Sequence, residues 1–115
     1  MPGAMGRLVP IVALLLIAAT TEETRIYRVA NAAFKDGVYD LAERQAAEFV
    51  QKFPGSEQAD AMLLVLTQAQ LKQGKWQSAL QSAQEGMQKW PTEKRADAFR
   101  FWQAEAYARG EQFPE

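Results

Sequence analysis

Side chains able to do chemistry are few in this chain, and their spacing decides what remains for them to do. Histidine and cysteine are both absent, which removes the common general base, the usual zinc ligands and every thiolate nucleophile. Carboxylate or lysine chemistry is the catalytic option left. Asp36 and Asp40 stand four apart, but Gly37 between them is a helix breaker. They read as a helix-end and helix-start pair rather than an acid/base couple. Asp60 and Asp97 recur 37 residues apart at expected helix beginnings, where dipole and cap effects account for both. The sequence predicts no enzyme, no cofactor and no metal site. Asn31 and Gln68 are also 37 apart, as are Lys35 and Lys72, so a structural repeat of that length would set amides and ammonium groups in rows.

The elements that would position such rows follow from the same interval. Leu71 to Pro91, LKQGKWQSALQSAQEGMQKWP, aligns with Phe34 to Pro54, FKDGVYDLAERQAAEFVQKFP. Gly37 answers Gly74, Tyr39 answers Trp76, Ala42 and Ala46 answer Ala79 and Ala83, and Lys52-Phe53-Pro54 answers Lys89-Trp90-Pro91. Self-similarity at a fixed period marks stacked units that cannot bury their apolar faces alone. Tyr39, Trp76, Phe53 and Trp90, which could be taken for ligand-stacking aromatics, sit at recurrent positions and read as core plugs between units.

Size and composition agree with one modest globular domain: 115 residues, 48% hydrophobic and 23% charged. A formal charge of -1 provides no basic field to collect nucleic acid. The first twenty residues differ from the rest. Arg7 precedes an apolar run from Leu8 to Ala19 that contains Pro10, and Ile17-Ala18-Ala19 offers a small residue for signal peptidase. Residues 1–19 therefore read as a signal peptide or a membrane anchor, with 12 apolar residues where a spanning helix needs roughly 20. Arg7 before the run and Glu22 and Glu23 after it favour a domain held outside the inner membrane. No lipid-attachment cysteine follows, and no disulfide can form.

From residue 20 onward the pattern is helical throughout. A first helix runs to about Lys35, with Thr20 and Glu23 in capping-box spacing and Ile26, Val29, Ala30, Ala33 and Phe34 on one face. Gly37 ends it through the left-handed conformation. The second helix starts near Tyr39 and is stopped by Pro54; the third runs from about Glu57 to Lys72, the fourth from Trp76 to Lys89, and the fifth from about Glu93 to Arg109, ended by Gly110. Gly86 lies mid-helix where the first unit has Phe49. The expectation is a volume exchange, with Gly86 opening space for Phe99 or Trp102. Phe113 falls in the aromatic slot that would open a sixth helix, so the array is expected either to continue in a longer protein or to offer the fifth helix to another chain.

Helix pairs with Gly-x-aromatic at the inner turn, a small residue three further on and a closing proline resemble tetratricopeptide repeats. Gly37, Tyr39, Ala42, Ala46 and Pro54 carry this in the first unit, and Gly74, Trp76, Ala79, Ala83 and Pro91 in the second. A half unit holds Phe99, Trp102, Tyr107 and Gly110. The period is longer than the usual ~34, and the glycine common in the family's first helix is replaced by Ala30, Thr67 and Gln103. The junction Phe53-Pro54-Gly55-Ser56 followed by Ala59 and Ala61 is similar to that of cell-envelope members, among them outer-membrane assembly lipoproteins and periplasmic proteins that coordinate envelope constriction.

That resemblance implies an all-α, right-handed solenoid of about two and a half repeats, five helices over residues 20–115. It implies a protein or peptide partner on a concave face lined by first helices, with Tyr27, Asn31, Lys35, Leu64, Gln68, Lys72 and Arg100 as candidates. Amides there would read the backbone of an extended peptide and lysines its carboxylates. Tyr27 stands where relatives that clamp C-terminal carboxylates carry a basic residue. Phe99, Trp102 and Tyr107 form a possible interface, including one for a homo-oligomer. The expected role is a noncatalytic scaffold in the bacterial envelope, periplasmic or anchored to the inner membrane. The alternatives are the helical arm of a larger envelope enzyme, such as one acting on peptidoglycan, or a self-associating structural unit.

Overall fold

The computed structural model describes residues 21–91 and 93–112. The leader expected at 1–19, Thr20 of the capping box and the Phe113 slot lie outside them. The described residues are helical, with no strand among them. Helix α1 occupies 21–35, α2 Tyr39–Lys52, α3 Ala59–Lys72, α4 Trp76–Lys89 and α5 Glu93–Gln112. Sequential neighbours pack as hairpins, α2 on α3, α3 on α4 and α4 on α5, so the array is an all-α helical repeat of tetratricopeptide type.

The inner turns are built identically at the repeat interval. Gly37 and Gly74 hold φ of 80° and 79°, a region where a Cβ is strained. Around the first, Gly37 N–H donates to Phe34 O at 3.1 Å and Val38 N–H to Ala33 O at 2.8 Å. Around the second, Gly74 N–H donates to Leu71 O at 3.0 Å and Lys75 N–H to Gln70 O at 2.9 Å. Both are Schellman closures, which satisfy the last carbonyls of one helix while aiming the chain into the next. The outer ends also match: Phe53 N–H reaches Phe49 O at 2.8 Å and Trp90 N–H reaches Gly86 O at 2.9 Å, each just before its proline.

Alanines set the close approach within pairs. Ala42, Ala46, Ala79 and Ala83 are wholly buried, the stripe expected of amphipathic helices. Helix α3 is different, because it is covered from both sides. It buries Ala59, Met62, Leu63, Leu64, Leu66, Thr67, Ala69, Gln70 and Leu71, and Thr67 satisfies its hydroxyl on Leu63 O at 2.8 Å while Gln70 accepts from Ser82 Oγ at 2.8 Å.

The expected volume exchange is present and Phe99 is the partner. A Cβ built on Gly86 would lie 2.5 Å from Phe99 Cδ1 and closer still to its Cε1 and Cζ. Phe99 is fully buried and stacks on Trp90, ring centroids 6.2 Å apart and planes 10° from parallel. One interval upstream the positions are reversed, with Phe49 in the place of Gly86 and Met62 in the place of Phe99, both fully buried. Phe99 is therefore interior and not part of an exposed interface, a correction whose cause is the cavity left by Gly86.

Two boundaries differ from the sequence reading. Helix α3 begins at Ala59 rather than Glu57, because Ser56 Oγ accepts the Gln58 N–H at 3.1 Å and keeps 57–58 in a turn. Helix α5 passes through Gly110 to Gln112. Gly110 has no left-handed φ; a Cβ on it would come within 2.8 Å of Trp76 Cε3, so its role is to admit the Trp76 ring.

Replacing Gly86→Ala should lower stability by about 1–2 kcal/mol, because overpacking of about 1–3 kcal/mol outweighs a helix-propensity gain of about 1 kcal/mol. On a Phe99→Leu background the same change should cost less. Urea unfolding of the four variants measures the coupling, and additivity within about 0.5 kcal/mol would contradict the contact.

Candidate functional site

The expected concave face comprises the first helices of the pairs, α1, α3 and α5. Helix α3 approaches α5 directly, whereas α2 and α4 make no close backbone approach to each other. Spacing by four places Tyr27, Asn31 and Lys35 along α1, and Leu64, Gln68 and Lys72 along α3.

The two middle positions behave alike. Asn31 Nδ2 donates to Tyr27 O at 3.0 Å and Gln68 Nε2 donates to Leu64 O at 3.2 Å. Each amide is thereby pinned to its own helix with its carbonyl oxygen still an acceptor. Lys35 and Lys72 are each the last residue of their helix and exposed, where a cation meets the negative end of the dipole. Lys72 Nζ stands 6.0 Å from the Tyr39 ring centroid, within cation–π reach.

The N-terminal positions are less open. Tyr27 is half-buried, its ring 6.2 Å from that of Phe49. Leu64 is 7% exposed and belongs to the main core cluster with Ile26, Met62 and Phe99. Leu64, a candidate for the concave face, is instead taken up by packing, because α3 has helices on both sides. Arg100 is exposed and donates from Nη1 to Asp97 Oδ1 at 2.7 Å; its counterpart one interval upstream is the buried Leu63.

Adding 37 to Leu64, Gln68 and Lys72 gives Phe101, Glu105 and Arg109 on α5. Phe101 is 56% exposed and meets Trp102 edge-on at 4.9 Å. Trp102 is half-buried against two core clusters, and Tyr107 is 51% exposed.

The turn beneath Lys72 is tied down by a polar latch. Gln73 Nε2 lies within hydrogen-bond distance of Tyr39 O (3.2 Å), Glu43 Oε1 (2.9 Å) and Ala69 O (3.0 Å). Lys75 Nζ pairs with the same Glu43 oxygen at 2.8 Å. Burial works against the Glu43 charge, but the hydrogen bonds from Lys75 and Gln73 prevail and hold its carboxyl below the usual 4.5.

Among the described residues no group of acidic side chains is placed to hold a metal ion, and no helix is long and apolar enough to cross a membrane. Paired helices with left-handed glycines at the inner turns and close alanine packing define a helical-repeat protein of tetratricopeptide type. The family model YfiO, described as outer membrane lipoprotein, matches residues 19–113, and the chain belongs to that family. Neither the curated proteins nor the solved structures gave a match.

Because the folded pKa of Glu43 is depressed, its contribution is present above the unfolded value and disappears as pH falls through the folded one. Wild type should exceed Glu43→Gln in stability by up to about 1 kcal/mol near neutrality, Lys75 being half exposed. The gap should close on acidification, read by urea unfolding from roughly pH 6 to pH 3; a constant gap would show that charge is not what the latch uses.

Proposed function

We propose that this chain is a noncatalytic scaffold of the bacterial envelope that grips an extended segment of a protein partner along the inside of α1, α3 and α5. The observation that carries this reading is the paired amides, Asn31 and Gln68, fixed by the same bond to their own helices and each followed one turn later by a terminal lysine. Immobilised amides suit backbone recognition, since a peptide offers a donor and an acceptor at every residue. Tyr27, half-buried, offers an apolar surface beside Asn31.

Membership of an outer-membrane lipoprotein family supports an envelope location, and the charges flanking the apolar run, Arg7 before it and Glu22 and Glu23 after it, support export. With no cysteine in these residues to accept a lipid, membrane attachment would rest on residues 8–19. The absence of histidine and cysteine supports a role without catalysis.

A photo-crosslinking residue at Gln68 should trap a discrete envelope protein in living cells, and one at Ala47, exposed on α2, should not. Combining the Gln68 probe with Lys35→Glu and Lys72→Glu should abolish the adduct. Equal adducts from both positions, or an adduct indifferent to the reversed charges, would remove the inner face as the binding surface.

A further inference from the structure

We propose that the outward stripe of α5 is the seat of a second copy of this chain, two α5 helices pairing antiparallel about a two-fold axis beside residue 105. Such a dimer is independent of what the faces of α1 and α3 bind.

The repeat itself shows that this stripe belongs to a side that is elsewhere covered. On α3, Leu63, Leu64, Thr67, Gln70 and Leu71 are all buried. Helix α4 lies over that side, Gln70 accepting from Ser82 Oγ at 2.8 Å and Leu71 clustering with Ala79. One interval later α5 carries Arg100, Phe101, Ala104, Tyr107 and Ala108, and all five are exposed. Their spacing, continued to Glu111, is that of one helix face. Phe101 and Tyr107 are two of the three exposed large hydrophobic side chains among the described residues, a concentration of apolar surface that marks a contact site. Of the interface expected from the sequence, Tyr107 alone lies on this stripe, since Phe99 and Trp102 turn toward the core.

What fits the stripe is the same stripe reversed. About an axis beside residue 105, an antiparallel copy lays its Ala108 against Phe101 and its Ala104 against Tyr107, and symmetry repeats both contacts. Each ring then enters where a methyl group leaves room, large against small, the same exchange of volume that seats Phe99 against Gly86. Charge follows the same register, because Arg100 comes beside Glu111 of the other copy. Glu111 is in no ion pair among the described residues. Arg100 holds Asp97 through Nη1 at 2.7 Å and has further N–H groups for a second carboxylate. A parallel pair would instead set Arg100 against Arg100 and ring against ring.

Copies stacked head to tail do not offer the same fit. At the other end of the array α1 exposes Arg25, Arg28 and Lys35, with Ala32 as its one exposed apolar residue. The rings of α5 would find little apolar surface there, and Arg100 would meet like charge. An isologous pair also closes at two copies, whereas unlike ends build open filaments. The seam from Arg100 to Glu111 is about 16 Å long at 1.5 Å per residue. A single helix contact of that length lies at the small end of interface sizes, so the dimer is weak and comes apart on dilution.

The test uses the full-length chain in mild detergent, where the absence of cysteine makes any introduced thiol unique. Sedimentation equilibrium should show monomer and dimer exchanging on dilution through the micromolar range. Ala104→Lys, a change at an exposed position, should raise the dissociation constant at least about tenfold, a charge being forced into the apolar seam. Under oxidation Ala104→Cys should cross-link to itself, and Phe101→Cys should cross-link to Ala108→Cys when the two are mixed. Ala47→Cys, exposed on α2, should stay reduced. Arg100→Glu and Glu111→Arg should each weaken the dimer about fourfold or more, two surface pairs being lost at about two- to fivefold apiece, and the double reversal should restore it. A monomer at every concentration would overturn the proposal, as would a dimer that survives Ala104→Lys because the apolar run of residues 8–19 holds it. Phe101→Cys cross-linking to itself in preference to Ala108→Cys would overturn the antiparallel register.

Discussion

Between the second helix of one pair and the first helix of the next there is space for one bulky ring, and the architecture depends on filling it once. At the first junction the ring comes from behind, Phe49 packing in the cluster that contains Met62. At the second it comes from in front, Phe99 entering where Gly86 has no side chain. A ring from both sides would force the helices apart, and a ring from neither would leave a cavity at a cost of several kcal/mol. Because the occupied volume is conserved, the backbone template survives a complete change of side chains. Positions 37 apart consequently stay equivalent from one pair to the next.

The glycine turns perform the complementary task within each pair. Gly37 and Gly74 close their helices through the same two backbone bonds, so each first helix ends at the same point relative to its partner. A lysine at that last position is then presented equivalently in both pairs. The amides one turn earlier are locked by bonds to their own helices, leaving little side-chain freedom to lose on contact with a ligand. Rigidity here is local in origin, supplied by caps and back-bonds rather than by disulfides, which the chain cannot form.

Most of the fold was legible because the signals were covalently local or periodic. Glycine at 37 and 74, proline at 54 and 91 and alanine at the close approaches act through backbone geometry and size, which a sequence states directly. The Gly86 exchange was legible for the same reason, a single departure from a repeated pattern. What escaped depended on neighbours. Gly110 resembles the two turn glycines, yet it is a packing glycine because Trp76 arrives from another helix. Leu64 has the spacing of a surface residue, but α3 is enclosed on both sides. The polar latch of Glu43, Gln73 and Lys75 joins residues about thirty apart that share no motif.

That latch has no counterpart further along. The positions one interval after Glu43, Gln73 and Lys75 are Leu80, Gly110 and Gln112, so the first junction is fastened by charge and amide while the second is held by Trp76 lying against Gly110 and Phe99 beneath Trp90. In an array whose strength is summed over nearest neighbours, two unlike seams answer to unlike conditions. Both seams carry buried rings and respond to temperature, but the latch makes the first answer to acidity as well. The molecule thus carries a built-in polarity of loosening, one end sensing its electrolyte on top of warmth.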